Sequence, residues 1–249
     1  MNKMVLASKK EKKNFKNTVI KDENGYYKVT FGAFNTFNKS GIYYNVPDIN
    51  AILGPGSLVA KRINEGILIA EKDHPDVEGF IRNDDINGLT KRTIRLDPDN
   101  KCAHIKKIEI ENTGRVEPGF KNPIYKIYGW VKPEGPKKAV LEEALENPDE
   151  NVYFSVRSLV KQKTVGNLVI RDVLLVSTWD YVYDGGVHMA NQWNAAGLES
   201  TMDVVLSDND LKNIIVGYEG GCKDGKCVIE TLESVLAKDK DVVDIIMNW

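Results

Sequence analysis

The alternation of apolar and polar residues predicts that β-strands dominate the middle of the chain. Three segments alternate with the period of two that a strand with one buried face requires: "GYYKVTFGAF" (25–34), "AHIKKIEIEN" (103–112) and "PIYKIYGWV" (123–131). The short apolar run "GILIA" (66–70) suits a buried strand. Further along the chain, the pattern predicts strands in "VYFSV" (152–156), "NLVI" (167–170) and "VLLVSTWDYV" (173–182).

Helices interrupt these strands at irregular intervals. The segments "INAIL" (49–53) and "SLVAKRI" (57–63) predict short helices on either side of a Gly-Pro-Gly break. The clearest helix lies within "PKKAVLEEALENPDE" (136–150), where apolar residues form one stripe and a proline stands near each end. Because the order shows no βαβ rhythm and no repeat, the sequence predicts an α+β fold on a mostly antiparallel or mixed sheet.

The pattern divides the chain into three segments. Residues 1–22 are rich in lysine and poor in apolar residues, so we expect a flexible basic N-terminal arm. Residues 23–198 contain the predicted strands and helices and form the main domain. The pattern weakens over residues 199–249, which we interpret as a C-terminal segment that is either a processed extension or a small subdomain.

Composition excludes several classes of protein. The 249 residues are 42% hydrophobic and 28% charged with a net charge of −2, which is ordinary for a globular protein and gives no overall attraction to nucleic acid or anionic membranes. No apolar run approaches the roughly 18 residues of a membrane helix, and the N-terminus has no signal-peptide pattern. Three cysteines cannot all pair, which fits a reducing compartment. We therefore expect a cytoplasmic protein without a membrane or nucleic-acid partner, although the partner of the basic arm stays open.

Two motifs near the C-terminus do not indicate a cofactor or a metal. Gly220, Gly225 and Lys226 satisfy the phosphate-loop pattern, but Cys227 stands where that loop needs Ser or Thr. Cys222 and Cys227 supply only two of the four ligands that zinc requires. The sequence therefore predicts neither a metal nor a cofactor.

A hydroxyl and an imidazole stand at positions that suit catalysis. Ser155 lies within the apolar strand "VYFSV", with Arg157 two positions later. His74 follows the buried run "GILIA", and Pro75 fixes its backbone, so His74 is a candidate base. His104 lies on an alternating strand and is equally explained as a packed neutral imidazole.

A serine nucleophile needs a base and a third group that orients the base. Asp180 is a candidate for the third group, because a carboxylate between Trp179 and Tyr181 is costly to bury unless it is paired. Asp172 is its rival, although the adjacent Arg171 favours a surface ion pair. Spacing alone does not assemble these residues into one site.

Several motifs, taken in order, resemble those of the tailed-phage prohead core proteases, the T-even-type family distantly related to herpesvirus assemblin. "GILIAEKDHP" matches a Gly-x-Leu-x-Gly-Glu-x-x-His-Pro pattern and keeps Gly66, Glu71, His74 and Pro75. "FSVRS" matches a Val-Ser-Ser-Arg-Gly-like strand, and "TWDYVYDGG" matches a Thr-Phe-Asp-like strand that aligns Asp180. "AHI" (103–105) matches a Ser-His-x-Ile-like segment with Ala in place of Ser, and "FNKSGIYY" lacks the usual Arg and Pro. The resemblance spans about residues 27–197.

The resemblance implies a mixed, mostly antiparallel β-barrel surrounded by helices, with residues 23–198 as the protease domain. It implies Ser155 as nucleophile, His74 as general base and then general acid, and Asp180 as the residue that orients His74. Arg157 would position the oxyanion, assisted by a backbone N–H. Because the herpesvirus relatives use a second histidine, His104 is the alternative third member.

The resemblance also implies a function in capsid maturation. It predicts a serine endopeptidase that cleaves scaffold or core proteins and capsid proteins inside the prohead in the host cytoplasm, commonly after Glu. The weakening pattern beyond Gly197 prompts the further hypothesis that the chain also cleaves itself somewhere in that region and loses part of the C-terminal segment. The resemblance leaves a homo-oligomer open. One alternative is a catalytically inactive prohead core or scaffolding protein with the same fold. A second alternative is a cysteine peptidase that uses Cys102 with a histidine.

Overall fold

The computed structural model describes residues 20–147, 150–183, 202–207 and 209–210. The strands within them are β1 (Ile20–Lys21), β2 (Tyr27–Phe34), β3 (Ile42–Asn45), β4 (Ile69–Glu71), β5 (Lys101–Val116), β6 (Pro123–Pro133), β7 (Tyr153–Val165), β8 (Leu168–Val182) and β9 (Met202–Val205). The helices are α1 (Ile49–Leu53), α2 (Leu58–Asn64), α3 (Glu78–Arg82), α4 (Ile86–Ile94) and α5 (Lys138–Glu146), with a 3₁₀ turn at Pro98–Asn100.

The strands form two sheets. The first sheet has the order β1-β2-β6-β5-β4, and every neighbouring pair in it is antiparallel. The second sheet has the order β3-β8-β7-β9, in which β7 and β8 form an antiparallel hairpin. The outer strands β3 and β9 run parallel to β8 and β7, respectively. One bridge between Lys72, just after β4, and Tyr181 on β8 joins the two sheets.

This arrangement confirms the α+β fold with a mixed, mostly antiparallel strand order. The predicted barrel is not confirmed. Within the described residues each sheet keeps its own edge strands, and a single bridge joins the sheets without closing them into one barrel.

A large aromatic core fills the space between the sheets. Phe31 on β2 stacks on Trp179 of β8 with ring centroids 4.8 Å apart, and it also packs against Phe154 of β7 at 5.1 Å. Gly129 on β6 leaves room for the Phe31 ring, since a Cβ at this position would lie 2.0 Å from a ring carbon. This aromatic contact fixes β7 and β8 against the first sheet.

A second apolar cluster lies on the other side of the β7–β8 hairpin. It contains Leu159 and Leu175 from the hairpin, Leu89 and Ile94 from α4, and Val204 beside β7. Val204 belongs to β9, so part of the predicted C-terminal segment packs against the sheet of the main domain. Residues 211–249 of that segment, with the phosphate-loop pattern and Cys222 and Cys227, lie outside the described residues, as do residues 1–19 of the predicted arm.

Polar caps explain where three of the helices begin. Asp48, Ser57 and Asp85 each accept a hydrogen bond from a backbone N–H in the first turn, at the starts of α1, α2 and α4. The predicted helices α1, α2 and α5 are confirmed, whereas α3 and α4 were not predicted. The predicted segments 167–170 and 173–182 form one strand, β8. Among the described helices, none has the length and apolar character that spanning a membrane requires.

Candidate active site

His74 lies where β4 of the first sheet meets β8 of the second. Beyond the Lys72–Tyr181 bridge, the Asp73 backbone N–H donates to the Tyr181 carbonyl at 2.7 Å. Asp73 has a φ of 59°, a left-handed conformation that Asp tolerates better than most residues. This turn directs the chain so that the His74 side chain comes against β8.

The His74 ring is paired with Asp180. The distance between His74 Nδ1 and Asp180 Oδ2 is 2.9 Å, and the Asp180 side chain is fully buried. An ionised carboxylate only accepts hydrogen bonds, so Nδ1 carries the proton and donates it to this bond. In the neutral ring, Nε2 is therefore the hydrogen-bond acceptor.

Ser155 lies directly opposite Asp180 in the β7–β8 hairpin. Because opposed residues of an antiparallel pair point to the same face, the hydroxyl lies on the face that carries Asp180. Ser155 is 3% exposed. His74 Nε2 is buried and has no hydrogen-bond partner in the described part of the chain, so Ser155 does not hydrogen-bond the ring in this form. The register therefore brings Ser155 next to the His74–Asp180 pair, with the final hydrogen bond unformed.

Arg157 is fully buried and contacts two carboxylates. Its Nε and Nη2 donate to Asp180 Oδ2 and Oδ1 at 2.8 and 2.6 Å, which is a bidentate fork. Its Nη1 donates to Glu71 Oε1 at 3.0 Å and to the Arg95 carbonyl at 3.3 Å. Four of its five N–H donors are thus engaged within the protein. The geometry therefore favours a role for Arg157 in holding Asp180, rather than the predicted role in positioning the oxyanion.

The Arg157 contact determines the charge of Asp180. Burial alone would raise the pKa of Asp180, but the Arg157 guanidinium and the His74 hydrogen bond outweigh it and hold that pKa below its ordinary value. Burial in turn acts to lower the pKa of Arg157, and the two carboxylates overcome it and raise that pKa. Asp180 is therefore ionised at neutral pH and able to orient a neutral imidazole.

Glu71, the last residue of β4, is a further buried carboxylate. Besides Arg157, it accepts from Arg92 Nη2 on α4 and from the Asp97 backbone N–H, each at 2.9 Å. Its own backbone N–H donates to Asp180 Oδ1 at 3.3 Å. Arg92 reaches the surface, with 22% of its side chain exposed. We call Asp180, Arg157, Glu71 and Arg92 the charge network.

The other predicted site residues lie elsewhere or are unsuited to catalysis. His104 Nδ1 lies 2.9 Å from the Tyr26 hydroxyl and Nε2 lies 3.2 Å from the Gly66 carbonyl, so both ring nitrogens are engaged away from His74. Burial lowers the pKa of His104.

The Cys102 thiol is buried and donates to the Ala70 carbonyl, and burial raises its pKa. This environment opposes formation of the thiolate that a cysteine peptidase needs. Asp172 accepts from Asn45 and Lys163 instead of a histidine.

The described residues include no group of three His, Cys, Asp or Glu side chains that could hold a metal ion. Sequence reasoning placed Glu71 only within a motif and did not identify Arg92. The signal for Glu71 was present, because a carboxylate directly after a buried apolar run needs a cationic partner. No comparable signal existed for Arg92, since α4 itself was not predicted.

Comparison with known proteins finds a peptidase family and a phage protease that are similar to this chain. A family model described as the Peptidase S80 family matches residues 2–240. The chain is 33% identical over 197 residues to the "Capsid maturation protease" of Pseudomonas phage phiKZ, in an alignment that covers 78% of this chain and 70% of that protein. No solved structure matches.

Proposed function

The chain belongs to the Peptidase S80 family, and from this premise we propose that it is a serine endopeptidase of phage capsid maturation. Its substrates are scaffold or core proteins and capsid proteins inside the assembling capsid, in the host cytoplasm. The name of the phiKZ relative supports this substrate class. The observation that carries the serine mechanism is the His74–Asp180 pair at 2.9 Å, with Ser155 opposite Asp180 on the hairpin and no hydrogen-bond partner for His74 Nε2 among the described residues.

In this mechanism Ser155 attacks the scissile carbonyl while His74 Nε2 takes the hydroxyl proton. A rotation of the Ser155 side chain, or a small closure on substrate binding, would form the missing hydrogen bond, as often happens when a substrate binds. His74 then protonates the leaving amine. Asp180 keeps the proton on Nδ1 and stabilises the imidazolium that forms.

In this mechanism Arg157 acts through Asp180 and does not contact the substrate. Its bidentate contact with Asp180 keeps that carboxylate ionised and fixes the direction of its Oδ2. Because most of its donors are engaged by buried carboxylates, the oxyanion is stabilised mainly by backbone N–H groups. His104 takes no part in this mechanism, since both of its nitrogens have partners away from His74.

The low exposure of Ser155 bears on self-cleavage. Because Ser155 as a residue is only 3% exposed, a substrate needs a movement of the surrounding chain to reach it, which suits a protease that is made in a closed form. We propose that self-cleavage at a site somewhere beyond Gly197, with loss of part of the C-terminal segment, accompanies activation. The intact mass of the active protein, compared with that of Ser155→Ala, tests this step: equal masses would remove it.

The proposed reaction is tested by incubating the purified chain with the capsid precursor of its own phage. We expect shortened products with the native chain and none with Ser155→Ala. Ser158→Ala is the matched control, because it removes a buried hydroxyl three positions along the same strand. If neither the native chain nor Ser158→Ala shortens the precursor, the alternative of a catalytically inactive core or scaffolding protein replaces the enzyme.

A further inference from the structure

We propose that Glu71 is a positioning residue of the catalytic site, acting on both His74 and Asp180. This inference rests on the proposed serine mechanism. In this proposal Glu71 acts through the groups that it holds, Arg157 and Asp180.

Glu71 joins the two halves of the site. Its side chain anchors Arg157, and Arg157 holds Asp180 through two hydrogen bonds. Its backbone N–H donates directly to Asp180, and three residues later the same chain segment carries His74. A displacement of Glu71 therefore changes the position of the carboxylate and of the imidazole together.

The charges of the network balance. Two carboxylates, Glu71 and Asp180, face two guanidinium groups, those of Arg157 and Arg92. Three of these side chains are fully buried, so water screens their charges poorly. Removing one charge therefore alters the potential at the adjacent imidazole. Removing a carboxylate disfavours the protonated ring, whereas removing a guanidinium favours it.

The two ends of the network consequently give opposite predictions. Neutral His74 is the active base, so the acid limb of kcat/KM follows protonation of this ring. Glu71→Gln should move the acid limb to lower pH. Arg92→Gln, which removes the positive charge at the other end of the Glu71–Arg92 contact, should move it to higher pH. If these residues served only the stability of the fold, the acid limb would not move in opposite directions when a negative and a positive charge are removed.

The other titratable groups around the site stay constant in these variants. Cys102 on β5 lies buried near Asp180 and Glu71, Asp73 precedes His74, and Asp97 lies 3.9 Å from Arg92. Neither substitution removes any of them. A shift of the acid limb can therefore be assigned to the charge that was changed.

The assay uses a quenched-fluorescence peptide that carries the sequence around a cleavage site mapped in the capsid precursor. We expect Glu71→Gln to lower kcat by about tenfold to a hundredfold, the effect of small misplacement of catalytic groups. KM should stay within about twofold of the native value. Glu71 is fully buried, so it does not contribute to the substrate binding that is equal in the ground state and the transition state. Glu71→Asp keeps the charge but shortens the side chain, so it should lower kcat while leaving the acid limb at the native pH.

Glu109→Gln is the matched control. Glu109 lies on the first sheet, is contacted by Lys28 and Lys107, and has its pKa lowered to about 2 mainly by these lysines. It is thus a doubly paired carboxylate outside the charge network, and its loss should change neither kcat nor the pH profile.

The outcomes separate this inference from the proposed function. If the native chain does not cleave the peptide, or if Ser155→Ala cleaves it equally well, the serine mechanism itself falls. If cleavage depends on Ser155 but Glu71→Gln keeps the native kcat and acid limb, only the role of Glu71 is overturned. Should Glu71→Gln fail to fold, the upward shift expected for Arg92→Gln decides, and its absence would refute the inference.

Discussion

Replacement of Arg157 by methionine tests the energetics of the charge network most severely. Methionine is about as long as the apolar stem of arginine but lacks the guanidinium group. The substitution therefore removes three hydrogen bonds, of 2.6, 2.8 and 3.0 Å, to two fully buried carboxylates. Asp180 would keep His74, and Glu71 would keep Arg92. Both carboxylates would nevertheless lose the cation that lies between them.

The expected loss in the free energy of unfolding is about 3–5 kcal/mol, the cost of leaving a buried charge without its partner. With a urea m-value of about 2 kcal/mol/M, the midpoint of unfolding would fall by roughly 2 M. That loss is a large fraction of the roughly 5–15 kcal/mol that stabilises a typical domain.

Tryptophan fluorescence during urea titration provides the assay, because Trp179 is buried against Phe31 and next to Asp180. Arg171→Met is the matched control on β8. Arg171 donates to the neutral Gln162 side chain at an exposed position and to the Tyr44 hydroxyl, so its replacement should cost less than that of Arg157, about 1 kcal/mol per neutral hydrogen bond. Equal midpoints for the two variants would refute the reasoning that the network is a buried, balanced set of charges.

The same variant has a characteristic pH dependence. In the native protein the pKa of Asp180 is lowered, so its contribution to stability is present above its unfolded pKa of about 3.9 and is lost as the pH falls through the folded value. Without Arg157, burial should raise the pKa of Asp180, and acidification then relieves the unpaired charge. The difference in stability between the native chain and Arg157→Met should therefore shrink on acidification; a constant difference would contradict the account.

Two further predictions concern a thiol and a glycine. Because Cys102 is buried with a raised pKa, treatment of the folded protein with iodoacetamide should leave peptide cleavage unchanged, and inactivation that Cys102→Ala prevents would reinstate the cysteine-peptidase alternative. Gly129→Ala should lower the free energy of unfolding by about 1–3 kcal/mol or more, because the new methyl group collides with the Phe31 ring. Gly56→Ala is the control, because a Cβ at this position meets no atom within 4 Å, and it should leave the free energy of unfolding almost unchanged in the same urea titration. Equal losses of stability in the two variants would contradict the close contact between Gly129 and Phe31.

Strands and helices with a clear period were predictable from the sequence. The helix α5 and the strands β2, β5, β6 and β7 follow from regular apolar spacing. The strands β3 and β9 are four residues long and pair in parallel with distant strands, so no local pattern reveals them. Helix α4 begins at the Asp85 cap within a polar stretch, and its apolar face is short.

The pairing of His74 with Asp180 could be anticipated only as one arrangement among several. A buried carboxylate between Trp179 and Tyr181 implied a partner, but the contact arises where two separate sheets meet through a single bridge. Residues on different sheets have no spacing rule that joins them. The resemblance to phage proteases supplied the order of the motifs, and the fold supplied the contact.

Arg157 shows how tertiary contacts bear on a predicted role. The resemblance to the phage prohead proteases implied that this arginine positions the oxyanion. Its actual partners are fixed by Glu71 at the end of β4 and by Asp180 on β8, which only the tertiary structure brings together. The contacts on which the proposed role of Glu71 rests are tertiary as well, so the sequence alone shows Glu71 only as the end of an apolar run.

Covalent labelling shows whether Ser155 is a nucleophile that His74 activates. The purified chain is treated with a fluorophosphonate, and its intact mass and peptide map are recorded beside those of Ser155→Ala, His74→Ala and Ser158→Ala. We expect one adduct, on Ser155, in the native chain and in Ser158→Ala, with strongly reduced labelling in His74→Ala and none in Ser155→Ala. An adduct on another residue, or labelling of Ser155 that does not depend on His74, would contradict the proposed serine mechanism.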